Sequence, residues 1–443
     1  MSFKSKVTKN IAKFIRFSLR LTNHKATSLP GLIAYKLDKN ILEELSKNTK
    51  FIFVTGTNGK TMTTHFLTNI LKGYYSDVFT NESGSNMIQG IITSLLDNPS
   101  DKETVAVLEV DEANLVRIGN FLKADYVVFT NIFRDQMDRF GEIYNIFDKL
   151  IQGMETNSQA KIIANGDLPI FAYEQMDKYD KAYFAIRRSE QMEDDYILEA
   201  ESNSDGILCP SCNSVLKYKQ VNYSSLGDFT CPSCSFSSKP ISYKIDNILS
   251  LEANYSKFAM NDEEYEINIG GLYNIYNALA AISVAKELGL SYDLIYEGLA
   301  SQKNVFGRQE SIEVSGKELI INLVKNPTGL NQIIDLMLLE EEEITLICLL
   351  NDNYADGRDV SWIYDSAYER LQELDIKDVY VSGIRADDMK KRLEIAEIHD
   401  GEIKKFDYEN QIMQVIKKSR SRKIYVLSTY TAMLRLREVL GLS

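Results

Sequence analysis

The sequence predicts an α/β protein: a larger first domain built on a parallel sheet with flanking helices and interrupted by a zinc-ribbon insertion, then a smaller Rossmann-like α/β domain. Three observations predict it. Apolar β-rich runs alternate with amphipathic helical stretches, a glycine loop stands between the first such run and a helical pattern, and two Cys-x-x-Cys pairs break the alternation once. The 443 residues, 44% hydrophobic and 26% charged, suit a folded chain of about three domains and exclude collagen-like, disordered and mucin-like classes. With 50 basic and 63 acidic residues the formal charge is −13, a poor surface for gripping nucleic acid, so no nucleic-acid partner is expected.

Residues 1–45 read as a basic N-terminal helical segment. Eight Lys and Arg and no acid precede Asp38, so residues 1–37 carry +8 and the remainder −21. Ile11, Phe14, Ile15 and Leu19 stand at helical spacing, and Lys13, Arg16 and Arg20 interrupt the apolar core that a secretory signal needs. A mitochondrial presequence or a helix lying on an anionic membrane surface shares this pattern. The reading adopted is a surface helix docking one apolar face on its own domain. No run of about 18 apolar residues occurs, so no spanning helix is expected.

Residues 46–308 carry the runs FIFVT (51–55), TVAVLEV (104–110), YVVFT (126–130) and KIIAN (161–165), the alternation of a parallel sheet with crossover helices. A helical stretch at 274–300 separates them from a second group in 309–443: ELIINL, ITLICLL, KDVYVS and KIYVL. Between 188 and 240 the pattern gives way to acidic and Ser-rich turns with four cysteines, an insertion centred on about 200–240.

The strongest motif is VTGTNGKTMTTH at 54–65, with strand, loop and helix in order. Gly56 and Gly59 let the loop Gly56-Thr57-Asn58-Gly59 curl its N–H groups toward phosphate oxygens. Lys60 reaches the terminal phosphates, and the Thr61 hydroxyl ligates magnesium. A chance turn would lack Lys-Thr at the helix start.

This form resembles the ATP loop of the Mur ligase family, which includes folylpolyglutamate synthetase, and further landmarks follow in the family's order. Glu109 in VLEVDE matches a carboxylate that helps hold magnesium. TNIFRDQMDRFGE (130–142) is similar to the family's metal-binding element, with Gln136 in place of a His, which puts a second magnesium site in question. NGD (165–167) resembles the Asn-x-Asp-Asp turn, GLYNIYNALAA (271–281) nominates Asn274 and Asn277 beside the adenine, and FGRQE (306–310) nominates Arg308. The resemblance implies ATP and magnesium as cofactors and activation of a carboxylate as an acyl phosphate, with Lys60 and Glu109 catalytic.

Farther along, NLVKNP (322–327) puts Asn322 and Lys325 where the amino-acid-adding ligases carry an acid and a histidine. With NDNYADGRDVSWIYD (351–365) and the cysteine insertion, this resembles one subgroup closely, the MurT subunits of lipid II isoglutaminyl synthase. Cys209-Pro-Ser-Cys212 and Cys231-Pro-Ser-Cys234, separated by 18 residues, have zinc-ribbon spacing; four thiolates fill the metal's coordination sphere, so the zinc is structural. Cys348, in an apolar run, reads as a core thiol, and His24, His65 and His399 are the only histidines. A glutaminase needs an exposed Cys activated by His, so if the chain forms an amide from ammonia, a partner must supply it. The resemblance makes that partner a GatD-like glutaminase whose catalytic triad takes its acid from this chain. Asp352, Asp356 and Asp359 compete for that role. Asp356-Gly357 reads as a turn, Asp359 reads as a cap at the entry to an apparent helix WIYDSAYERLQEL, and the resemblance selects Asp359. Trp362, the only Trp, is either domain core or partner interface.

The reading is therefore an ATP-dependent carbon–nitrogen ligase that amidates the D-glutamate α-carboxylate of the lipid II stem peptide. Its expected place is the cytoplasm, with peripheral membrane contact at the inner face, and residues 309–443 dock the glutaminase. A ligase adding a free amino acid and a non-catalytic nucleotide-binding scaffold are the alternatives. The first would turn over ATP with an amino acid and no partner, the second not at all.

Overall fold

The computed structural model describes residues 2–21, 28–81, 88–96, 104–134, 143–188, 206–301 and 307–442. The chain opens with three helices, α1 (Phe3–Leu21), α2 (Leu29–Leu37) and α3 (Ile41–Leu45). Then follow β1 (Thr49–Thr55), α4 (Lys60–Lys72), β2 (Val78–Thr80), α5 (Ile88–Leu95), β3 (Thr104–Glu109), α6 (Leu115–Gly119), β4 (Tyr126–Phe129), α7 (Ile143–Glu155), β5 (Lys161–Asn165) and β6 (Lys181–Ile186). The insertion contributes β7 (Lys217–Tyr223) and β8 (Leu226–Thr230), and the chain returns through β9 (Tyr243–Ile245).

These strands form a seven-stranded sheet in the order β2-β3-β1-β4-β5-β6-β9, parallel throughout. All six residues of β3 are buried, as expected where helices cover both faces of a parallel sheet. The β-runs read from the sequence fall on β1, β3, β4 and β5. Because β1 lies between β3 and β4, the chain leaves it in one direction and returns on its other side, and the crevice at its C-terminal end is where such sheets bind ligands. An antiparallel sheet of β10 (Asn247–Leu251), β11 (Ser256–Met260) and β12 (Glu263–Ile267) was not anticipated; its strands are short, and only β11 alternates strictly between buried and half-buried positions.

The helical stretch is two helices, α8 (Leu272–Glu287) and α9 (Tyr292–Ala300); α8 is buried along most of its length between the sheet and α4. A second sheet begins at β13 (Glu310–Val314), continues with β14 (Lys317–Leu323), α10 (Pro327–Met337), β15 (Ile344–Leu349), β16 (Ile376–Ser382), α11 (Ala386–Ile395), β17 (Ile403–Lys405), α12 (Tyr408–Lys418), β18 (Lys423–Ser428) and ends with α13 (Tyr430–Val439). Its order is β13-β14-β18-β15-β16-β17, parallel except for the β13–β14 hairpin, whose two-residue turn Ser315-Gly316 has both φ positive. This domain is therefore mixed rather than purely parallel.

Two expectations are corrected. WIYDSAYERLQEL is two 3-10 turns, Ser361–Tyr364 and Tyr368–Glu373, rather than one helix. The buried Arg392 takes Ile363 O (2.9 Å) and Ser366 O (2.7 Å), while Ala367 N–H goes to Asn331 Oδ1 (2.8 Å), so the bonds that would carry an α-helix across the break are committed elsewhere. Trp362 packs half-buried on this domain's core. In α1, the side facing the domain carries Ser5, Thr8 and Ala12, with Ile15 and Leu19 half-buried, whereas Ile11 and Phe14 are exposed. The helix does not dock its most apolar face. Among the described residues, no helix is long and apolar enough to cross a membrane.

Candidate active site

The loop after β1 is bonded to the end of β4. Thr57 N–H donates to Asn131 O (2.9 Å), Asn58 N–H to Asn131 Oδ1 (2.9 Å), and Thr130 Oγ1 and Asn131 Nδ2 both donate to Asn58 O (2.8 and 3.1 Å). Only glycine fits two of its positions. At Gly56, φ 131°, a Cβ would stand 2.3 Å from Thr130 Oγ1; at Gly59, φ 85°, it would stand 2.1 Å from Asn277 Oδ1. Lys60 opens α4, its Nζ donating to Gly56 O and lying 3.8 Å from Asp111 Oδ1 and 3.9 Å from Glu112 Oε2. A lysine and the N–H groups of a helix start thus share one spot, the arrangement that favours phosphate.

Parallel pairing sets Val54 of β1 opposite Glu109, which brings the strand-end carboxylate to the first turn of α4. Asn81 fixes the Glu109 backbone from both sides: Glu109 N–H donates to Asn81 Oδ1 (2.8 Å), and Asn81 Nδ2 donates to Glu109 O (2.9 Å). Thr61 Oγ1 donates to Glu109 Oε2 at 3.3 Å. Burial pushes the Glu109 carboxyl above the usual carboxylate range, opposed by the charge of Lys60, the Thr61 hydroxyl and Arg308. Adjacent oxygens around an octahedral magnesium sit about 3 Å apart, so the Thr61 and Glu109 pair fits that ion. Burial also lowers the Arg308 guanidinium, with Glu109 the main opposing influence.

A cavity between the loop and the C-terminal sheet joins Asn58, Gly59, Asn277 and Arg308. Asn274 does not line it; its Nδ2 donates to Gly270 O (2.8 Å) and its Oδ1 accepts from Asn277 Nδ2 (3.3 Å), so it orients Asn277 from behind. The opposite wall carries Asn322 and Lys325. Asn322 is 1% exposed and neither end of its amide has a hydrogen-bond partner, a buried polar group suited to a polar ligand. Asp111, Glu112, Tyr273 and Tyr223 are the residues that sequence reading missed. The first two follow Glu109 in VLEVDE and were legible as an acid cluster. Tyr223 comes from the far end of β7 in the insertion, and nothing local signals it.

In that insertion, Cys209 and Cys234 Sγ lie 3.6 Å apart, Cys212 and Cys231 Sγ 3.5 Å apart, and all four within 4.8 Å of one another. Thiolates about 2.3 Å from a tetrahedral zinc lie about 3.8 Å from each other, so the set fits zinc. The hairpin β7–β8 is tied to the supports of that cavity. Fully buried Asp167 of the NGD turn accepts from Tyr276 Oη (2.6 Å) and Ile186 N–H (2.9 Å) and pairs with Arg187, while Asn222 Nδ2 of β7 donates to Tyr276 Oη (2.7 Å). Tyr276 lies next to Asn277 on α8.

The three acids of the C-terminal domain are now distinct. Asp352 pairs with Arg385 at 3.0 Å. Asp356 is buried, accepting from Thr431 N–H (2.7 Å), Thr431 Oγ1 (2.5 Å) and Asn353 N–H (3.1 Å). Asp359 is exposed and accepts from Ser361 N–H at 2.8 Å; the Ser361 hydroxyl and N–H hold its carboxyl below the usual range. It thus makes the capping turn expected at this position and still faces outward. Cys348 is buried in β15, and burial pushes its thiol far up. Gln136 and His24 lie outside the described residues.

Fold and site together define a Mur-ligase-type, ATP-dependent ligase. The family model of the Mur ligase middle domain matches residues 54–231, and that of the MurT ligase C-terminal region matches 323–433. The chain is 40% identical over 419 residues to the lipid II isoglutaminyl synthase (glutamine-hydrolyzing) subunit MurT of Streptococcus pneumoniae, covering 94% of this chain and 93% of that one. It is 34% identical to the Staphylococcus aureus subunit, over 88% and 87% of the two chains. The chain belongs to the MurT family. Among solved structures it is similar in fold to a pseudomurein peptide ligase type C from Methanothermus fervidus (TM-score 0.66, 22% identity, 91% of this chain and 80% of that one) and to a MurF ligase from Thermotoga maritima in complex with ADP (0.64, 16%, 92% and 83%).

Proposed function

We propose that this chain is the synthetase subunit of a glutamine-dependent amide synthase acting on cell-wall precursor, converting the D-glutamate α-carboxylate of the lipid II stem peptide to D-isoglutamine. The observation that carries the proposal is a division of chemistry: an intact phosphate loop with Thr61 bonded to Glu109 and Lys60 beside Asp111 and Glu112, in a chain whose sole cysteine outside the ribbon is sealed in β15. The chain has what activates a carboxylate and lacks what releases ammonia.

In this reading residues 46–308 hold ATP, with the loop 56–59 cradling phosphates, Asn277 backed by Asn274 beside the base, and Arg308 facing the phosphoryl group. Thr61 and Glu109 would hold magnesium, which would supply charge neutralisation on the phosphates. A substrate carboxylate oxygen attacks the γ-phosphorus and ADP departs, while Lys60 meets the charge on the transferred group. Ammonia then adds to the acyl carbon of the acyl phosphate, loses a proton, and inorganic phosphate leaves as the amide forms. Residues 309–443 dock the glutaminase, and Asp359, exposed where Asp352 and Asp356 are occupied, is the acid offered to the partner's histidine. Cys209, Cys212, Cys231 and Cys234 hold zinc as a structural ion.

The test is amidation of lipid II by the chain with its co-purified glutaminase, supplied with either glutamine or ammonium. Product from both sources is expected. Lys60→Ala should lower both rates by about 10²–10³-fold with the fold intact, and a near-normal rate would reject the phosphate-loop assignment. ATP turnover that requires a free amino acid and no partner would reject the amidation itself.

A further inference from the structure

On the exposed side of α1 the residue types contradict their surroundings. Phe3, Phe14, Phe17 and Leu21 are 84, 70, 60 and 72% exposed, with Val7 and Ile11 also exposed. At 100° per residue these six positions fall within an arc of roughly 120°. The opposite side carries Ser5, Thr8 and Ala12, all buried, and Ser5 Oγ donates to Asp38 Oδ2 at 2.6 Å. The helix is therefore held to the domain by its small and polar face and turns its large apolar residues outward. Exposed Lys6 borders the apolar arc on one side, Lys4 on the other lies 3.9 Å from Asp38 Oδ1, and Arg16, farther round, donates to Thr93 O (3.3 Å).

We infer that α1 is an in-plane membrane anchor that lays this apolar face into the headgroup region of an anionic bilayer. An amphipathic helix with aromatic residues on one side and lysines along its margins has the chemistry for that surface, apolar side chains entering the acyl boundary while ammonium groups meet lipid phosphates. Charge selects the occupant. The head carries +8 with no acid among residues 1–37, against −21 for the rest, so an anionic surface attracts this end and repels the body, which orients the molecule. A second copy of α1 would bring the same unbalanced charge against itself. The inference goes beyond the amidation reading and is tested without it.

The experiment is co-sedimentation of the full chain with vesicles of phosphatidylglycerol and phosphatidylcholine, and of phosphatidylcholine alone, against the double variant Phe14→Glu, Phe17→Glu. Both positions are exposed, so retained zinc and an unchanged melting temperature serve as the folding control. Wild type should partition onto the anionic vesicles at least about tenfold more than onto neutral ones, weaken as salt rises, and lose binding in the double variant. ATP turnover with a water-soluble stem-peptide acceptor should be the same in both proteins, which keeps failure of anchoring distinct from failure of amidation. Equal sedimentation with both vesicle types, or undiminished binding by the double variant, would overturn the inference. So would a dimer of the wild type that the double variant dissolves in the absence of vesicle binding.

Discussion

Asn58 of the phosphate loop and Asn326 at the start of α10 face each other amide to amide, Asn58 Nδ2 donating to Asn326 Oδ1 (3.4 Å) and Asn326 Nδ2 to Asn58 Oδ1 (3.2 Å), across 268 residues of chain. Asn326 Oδ1 also accepts from Gly329 N–H at 2.7 Å, capping α10. One side chain therefore fixes the C-terminal domain's helix and joins it to the loop of the other sheet. The cavity lined by Asn58, Asn277, Arg308 and Asn326 lies between the loop and this domain, so the pair sets how closely its walls approach.

Asn326→Ala should lose both the cap, worth about 1 kcal/mol, and the bridge; Asn58→Ala should lose the bridge alone. Both should raise the KM for ATP, and only the first should lower stability appreciably. Denaturant melts and ATP titrations of the two variants and their combination check this, with a KM effect in the double variant well below the product of the singles. Independent effects would mean the pair does not act as a unit.

Gly59→Ala should abolish nucleotide binding. The residue sits at φ 85°, and its Cβ would fall 2.1 Å from Asn277 Oδ1, so the variant disturbs both the loop and the asparagine beside it. The left-handed backbone alone costs about 1–2 kcal/mol for an L-residue. Calorimetry with ADP is the measurement, and affinity within a few-fold of wild type would show that the loop is looser than its contacts indicate.

Zinc removal should reach the nucleotide site at a distance. Cys231→Ser, or treatment with a strong chelator, should release about one zinc per chain. Asn222, through Tyr276, and Tyr223, in the cavity wall, connect the hairpin to that site. ATP affinity should therefore fall while the phosphoryl-transfer residues stay in place. Elemental analysis paired with ATP KM reads both effects; zinc loss at unchanged KM would show the ribbon to be mechanically separate.

What the sequence revealed, and what it hid, follows the range of the interactions. The loop 56–61 was legible because strand, glycines, lysine and helix lie within a dozen residues, and the ribbon because thiolate spacing is itself local chemistry. Glu109 could be read only by its place at a strand end, since its contact with Thr61 depends on β1–β3 pairing. Tyr223 and the Asn58–Asn326 bridge were hidden because each joins elements far apart in the chain. The 3-10 turns after Asp359 were missed because Arg392, some thirty residues downstream, takes the carbonyls a helix needs. The orientation of α1 was misread for a related reason: helical spacing reveals an apolar face but not whether Ser5 and Thr8 or Phe14 and Phe17 turn inward.

In the proposed function this chain activates a carboxylate with ATP while a partner glutaminase, completed by Asp359, supplies ammonia. An acid behind a catalytic histidine can be worth about 10⁴ in rate, whereas Asn caps a turn nearly as well as Asp. The decisive measurement is therefore glutaminase rate and ammonium-driven amidation on one preparation of the complex carrying Asp359→Asn. The account predicts an assembled complex with glutamine hydrolysis reduced by orders of magnitude and ammonium-driven amidation largely retained, because Lys60, Thr61 and Glu109 are untouched. Glutamine hydrolysis at the wild-type rate would contradict it and leave Asp359 as the cap of its own turn.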